Sequence, residues 1–146
     1  MQTKEILMRI LGIDYGDARV GVAVTDIMGF MANGVKTIKN KGMKSLLSEL
    51  ETVLKEYNPE KIVVGLPKNM DGSEGFRVEA TKEFVENLKS IYTGEIIFQD
   101  ERLTSMEAKR YLSETNTFGK KRKEVLDTVA AVLILENYLA SSKNNQ

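Results

Sequence analysis

Four acidic residues stand where ionised carboxylates are costly. Asp14 follows directly on the apolar run Ile10-Leu11-Gly12-Ile13, the pair Asp100-Glu101 ends the run Ile96-Ile97-Phe98-Gln99, and Asp127 interrupts the apolar segment VLDTVAAVLIL. An unpaired carboxylate out of water must be compensated or neutralised. The chain has no His and no Cys. Thiolate or imidazole zinc sites, Ser-His-Asp and Cys-His nucleophile systems, histidine bases and disulfides are therefore all excluded. What remains is chemistry by carboxylates, Lys, Arg, Tyr, Ser and Thr, or by a hard cation held by oxygen. Three carboxylates around one or two divalent cations, about 3.5–4 Å apart when there are two, hydrolyse phosphodiesters without any histidine. Each carboxylate also has a plain structural reading. Asp14 could be a turn or cap residue, Asp100 and Glu101 the start of a solvated loop, and Asp127 a first-turn helix residue favoured by the macrodipole. Their joint occurrence favours a metal site.

These residues need elements to position them. The 146 residues, 42% hydrophobic, suit one domain over 1–146, with 1–7 a loose extension and 141–146 a polar tail; Met8 is an alternative start. Strands are expected near 9–15, 19–25 and 34–39, joined by short turns that suit antiparallel hairpins. MKSLLSELETVLKEY places Leu46, Leu47, Leu50, Val53 and Leu54 at helical spacing, and Asn58-Pro59 stops the helix. KIVVGL, from Lys61 to Leu66, reads as a buried parallel strand; the loop PKNMDGSEG and a helix over about 76–91 follow. IIFQD is the last strand, at 96–100. Thr104 to Glu107 has the capping-box spacing that opens a short helix, and a final helix is expected from about 122 to 140. The expected fold class is α/β: a mixed five-stranded sheet, three antiparallel strands then parallel ones, with helices on both faces. If strands one and five are neighbours or near neighbours, their carboxyl ends bring Asp14 and the Asp100-Glu101 pair together. Asp127 then reaches in from the last helix, where Ala130 and Ala131 permit close approach.

Lys plus Arg and Asp plus Glu both number 21, so a polyanion must be met by a local patch. GKKRK supplies one through Lys120, Lys121, Arg122 and Lys123, set where cations oppose the dipole of the coming helix and a phosphate would reverse that sign. The alternative is a solvated loop. PKNMDGSEG leaves the carboxyl end of a parallel strand, where ligands bind in open α/β sheets. Lys68 and Arg77 there are candidate phosphate contacts, and Arg19 and Arg102 flank the carboxylates as contacts or as their ion-pair partners. Tyr15 is read as packing rather than base stacking. No export signal or membrane span is indicated, so a cytoplasmic protein is expected.

RILGIDYGDARVGVAVTD, IVVGLPKNMDGSEGFRVEA, DERLTSMEA and KEVLDTVAAVLIL, in that order over nearly the whole chain, resemble the YqgF/RuvX family. That family is described as Holliday junction resolvases and as nucleases for the 5′ end of pre-16S rRNA, with an RNase H-like fold. The resemblance implies an acidic triad at Asp14, Glu101 and Asp127, acting as both catalytic and metal-holding residues, with Mg²⁺ or Mn²⁺ as cofactor. Choosing Glu101 over Asp100 rests on that likeness, since alternation lets only one of the pair face Asp14. Related resolvases carry a fourth acid near the last helix, for which Glu124 is the candidate here. The implied function is a metal-dependent nuclease of structured nucleic acid, processing pre-16S rRNA in ribosome biogenesis. Its partners would be precursor rRNA or branched DNA and the ribosome, its state monomer or homodimer. The alternatives are a Holliday junction resolvase in recombination and repair, and a noncatalytic nucleic-acid or ribosome-binding module. GIDYGDARVGVAV also looks like the phosphate hairpin of the actin and sugar-kinase ATPases, but those clamp nucleotide between two such domains, and this chain has room for one.

Overall fold

The computed structural model describes residues 9–66, 75–100 and 119–144, with side chains described in the last stretch only over 128–141. In chain order the elements are β1 (Ile10–Tyr15), β2 (Arg19–Thr25), β3 (Ala32–Lys39), α1 (Met43–Tyr57), β4 (Lys61–Leu66), α2 (Phe76–Leu88), β5 (Glu95–Asp100) and α3 (Gly119–Asn144). The strands form one five-stranded sheet in the order β3-β2-β1-β4-β5. β1 pairs antiparallel with β2 and parallel with β4, β2 pairs antiparallel with β3, and β4 pairs parallel with β5. β1 and β5 are thus near neighbours with β4 between them, about 9.5 Å apart at two strand spacings.

β1 is apolar on both sides because both sides are covered. Leu11 and Ile13 join Val20, Val22, Ile62 and Val64 in the larger core, closed by Leu46, Leu50 and Val53 of α1 and Phe84, Val85 and Leu88 of α2. Ile10, Ala23 and Val63 face the opposite way and are closed by Ala131, Ile134 and Leu135 of α3. Gly12 lies on that second face, and a Cβ there would stand 2.5 Å from Leu135 Cγ and 3.1 Å from Ala131 O. The missing side chain is what lets α3 lie against the central strand. α1 stops where the sequence says it should: Asn58 takes the left-handed conformation at φ 45°, its N–H donates to Leu54 O at 2.8 Å, and Pro59 follows.

Several expected boundaries shift. β3 begins at Ala32 rather than 34, β5 at Glu95, and α2 ends at Leu88 rather than about 91. Ser90 and Ile91 instead close turns, their N–H groups donating to Asn87 O and Leu88 O at 3.0 Å. The last helix starts at Gly119, so GKKRK is its opening turn and not a loop before it. Lys and Arg are good helix formers, and nothing in the run breaks a helix after Gly119. The same helix continues to Asn144, through most of the polar end. The helix expected from Thr104 lies outside the described residues.

Candidate metal centre at the carboxyl end of the sheet

Strand register places Asp14 in a row that crosses the whole sheet. Asp14 is paired with Gly21, and Gly21 with Thr37. On the other side, Ile13 is paired with Val64, which sets Asp14 beside Gly65, and Gly65 is paired with Gln99. Alternation puts Asp14 on the face of Ile10 and Gly12, the face that α3 covers. The half-buried Asp14 therefore has a glycine on either side in its row, Gly21 and Gly65.

α3 runs antiparallel to β1. Lys61 Nζ, at the start of β4, donates to Tyr138 OH at 3.4 Å; Ala131 and Leu135 lie over Gly12; and the hydroxyls of Thr37 and Thr128 meet at 2.9 Å in the Asp14 row. From Gly12 to Asp14 the strand advances about 6.7 Å, and from Ala131 back to Asp127 the helix advances about 6 Å. The backbone of Asp127 thus reaches the level of Asp14. Asp100 is exposed and shares its side of β5 with Phe98, which lines a hollow against α2 with Phe76, Glu79 and Glu83. Asp100 is therefore on the face opposite Asp14. Glu101 lies outside the described residues, as do the side chains of Asp127 and Glu124. Among the described residues no three acidic side chains converge on one point.

The cations divide in the same way. Arg19 opens β2 on the Asp14 side of the sheet, paired with Lys39. Arg77, in the first turn of α2, approaches from the other layer and donates through Nη2 to Tyr15 O at 3.4 Å, one residue past Asp14. Tyr15 is a packing residue, as expected: its ring stacks on Phe84 with centroids 4.5 Å apart. The turn behind Asp14 is held by Asn40, whose Nδ2 donates to Gly16 O at 2.9 Å and whose N–H donates to Ala18 O at 2.9 Å. A Cβ on Gly16 would stand 2.5 Å from Arg19 O, so this turn requires glycine. Lys68 and Arg102 lie outside the described residues, and Lys120, Lys121, Arg122 and Lys123 are placed by backbone alone in the opening turn of α3. Sequence reasoning missed Gly21, Gly65, Thr37 and Thr128. Alternation along β2 and β4 could have flagged the glycines, but nothing local flags the threonines.

A mixed sheet of this order, with a carboxylate at the end of its central strand and a long helix crossing that face, is the architecture of the RNase H-like resolvases. RuvC of Thermus thermophilus superposes with a TM-score of 0.57 at 15% identity, covering 92% of this chain and 97% of that one. The fowlpox virus Holliday junction resolvase does so with a TM-score of 0.54 at 15% identity, covering 92% and 99%. The chain belongs to the RuvX family, whose model, described as Holliday junction resolvase, matches residues 8–141. A protein of Thermoanaerobacter pseudethanolicus named "Putative pre-16S rRNA nuclease" is 47% identical over 138 residues, 94% of this chain and 99% of the relative. One of Clostridium tetani with the same name is 46% identical over 137 residues, 94% and 99%. Among the described residues no helix is long and apolar enough to cross a membrane.

Proposed function

We propose that this RuvX protein is a divalent-metal-dependent nuclease of the cytoplasm, a single domain over 1–146 that trims the 5′ end of pre-16S rRNA during ribosome biogenesis. Asp14, Glu101 and Asp127 are its metal-holding and catalytic carboxylates, and Mg²⁺ or Mn²⁺ its cofactor. The observation that carries this reading is the level match between Asp14 and the backbone of Asp127 on one face of the sheet, with Thr128 bonded into the Asp14 row. The donor set fits such a cation: with no His and no Cys in the chain, all strong ligands are oxygens. Asp100 lies on the other face of the sheet, which supports the choice of Glu101 from that pair.

A divalent cation bound there would supply water activation and charge stabilisation at the scissile phosphate. The chain's own residues do the rest. Asp14 and Asp127 hold the acidic face open to an oxygen-ligated ion. Arg19 and Arg77, on the two sides of the β1 end, bind and orient the phosphates flanking the cut. Lys68, Arg102 and the run Lys120, Lys121, Arg122 and Lys123 add sequence-independent charge that holds the nucleic acid. The relatives' names favour precursor rRNA. A second reading, resolution of four-way DNA junctions, draws on the family description and would require a homodimer to match the junction's two-fold symmetry.

The deciding experiment incubates the protein with Mn²⁺ and, separately, pre-16S rRNA leader transcripts, unstructured single-stranded RNA and a Holliday junction, with Asp14→Asn as control. Shortening of the leader by wild type alone is expected. Symmetric nicking of the junction with intact leader would favour the second reading. Binding without cleavage of any substrate would leave a noncatalytic module and refute the proposal.

A further inference from the structure

We infer that Thr37 and Thr128 are positioning residues of the carboxylate centre, their hydroxyl pair setting the rotation and height of α3 so that Asp127 stands opposite Asp14. The inference rests on the carboxylate reading above. Among the described α3 residues, the fully buried Ala131, Ile134 and Leu135 also face the sheet, but their packing is nondirectional and tolerates small slips of the helix. The Thr37–Thr128 contact is directional, 2.9 Å between Oγ1 atoms, and it falls one residue from Asp127 in the row that contains Asp14. A metal site needs its ligands held to within about 0.5 Å, a tolerance that a hydrogen bond beside the ligand can enforce.

The sheet is shaped for this contact. β3 shifts register against β2 between Val22 and Ala23: Lys36 pairs with Val22, but Gly34 pairs with Ala23, so Val35 is an extra residue. Such a bulge re-aims the strand. Here it puts Gly34 and Thr37, an odd number of positions apart, on the same α3-facing side. Thr128 uses both. Its hydroxyl meets Thr37, and its methyl lies over Gly34, where an added Cβ would overlap Thr128 Cγ2. One bulge, one glycine and two threonines therefore converge on the residue next to Asp127.

The test is a Mn²⁺ titration by calorimetry, paired with melting curves in EDTA, on wild type, Thr128→Val, Thr37→Val, Thr128→Ser and Asp127→Asn. Outer residues that orient metal ligands typically alter affinity by 10–100-fold. Thr128→Val and Thr37→Val should each weaken Mn²⁺ about tenfold while the metal-free melting point moves little. Thr128→Ser, which keeps the hydroxyl, should restore near-wild-type affinity. Wild-type affinity in both valine variants alongside a loss in Asp127→Asn would overturn this inference and spare the carboxylate site. So would a loss that serine fails to restore and that tracks the metal-free melting point. Unchanged affinity in Asp127→Asn would instead sink the carboxylate reading itself. Should Thr128→Val not fold, Thr37→Val interrogates the same bond from the sheet.

Discussion

Gly12→Ala tests whether the spacing between α3 and the sheet sets the metal site. The new Cβ would stand 2.5 Å from Leu135 Cγ, 3.0 Å from Leu135 Cδ1 and 3.1 Å from Ala131 O. Ordinary contact is about 3.5–4.0 Å, so something must give by roughly 1 Å. Leu135 is fully buried and the carbonyl belongs to the helix backbone, so swinging one side chain aside cannot relieve the overlap. α3 must lift. Overpacking of this kind costs about 1–3 kcal/mol, and each kcal/mol lowers Tm by roughly 2–4 °C at this size, so a fall of about 2–12 °C is expected. The same movement carries Asp127 away from Asp14 by about twice the tolerance of a built site, some 0.5 Å. Melting curves in EDTA and in millimolar MnCl₂ read both effects, because an ion bound only by the native state raises Tm by an amount that grows with the logarithm of its affinity. Val63→Ala is the control: it empties part of the same layer and loses stability, but pushes nothing outward. Gly12→Ala should lose most of the Mn²⁺ increment and Val63→Ala should keep it. A destabilised Gly12→Ala with the full increment would refute the link between helix height and the site.

Three further outcomes are expected. Asp14→Asn should abolish the Mn²⁺ increment in Tm while leaving the metal-free fold at least as stable, whereas Asp100→Asn, on the opposite face, should leave both the increment and cleavage intact; melting curves and leader-cleavage rates check the pair. Replacing Lys120, Lys121, Arg122 and Lys123 by Gln should weaken RNA binding and flatten its salt dependence by up to one counterion increment per lost phosphate contact, measured by filter binding across a salt series. The Tyr92 phenol is pushed up to about 12, first by burial and then by the charges of Glu60 and Glu95. Its hydroxyl donates to Pro59 O at 3.0 Å. A folded-state pKa above the unfolded one means stability that is complete below about pH 10 and lost as pH rises toward 12. Ultraviolet titration should show one late tyrosine, absent in Tyr92→Phe.

The sequence alone determined the elements and their polarity. Residues 43–57 carry a stripe of leucines at helical spacing with Asn-Pro behind it, and α1 begins and ends there. β2 and β4 fall within 19–25 and 61–66 as their apolar runs dictate. Each of these signals is local, because burial period, caps and breakers act within a few residues. Asp14 was legible for the same reason: a charge at the end of a doubly buried strand is anomalous wherever it occurs. Strand order and register were not legible, since any pairing that buries the same faces satisfies the same pattern until the turns and helices are packed. Only the tertiary structure could seat Asp14 between Gly21 and Gly65, send Asp100 to the far face, and turn Thr37 and Gly34 to the same side through a bulge. Thr128 shows the difference most plainly. In the chain it is one polar residue in the apolar segment VLDTVAAVLIL, and its role exists only because Thr37, 91 positions away in sequence, is folded to within 2.9 Å of it.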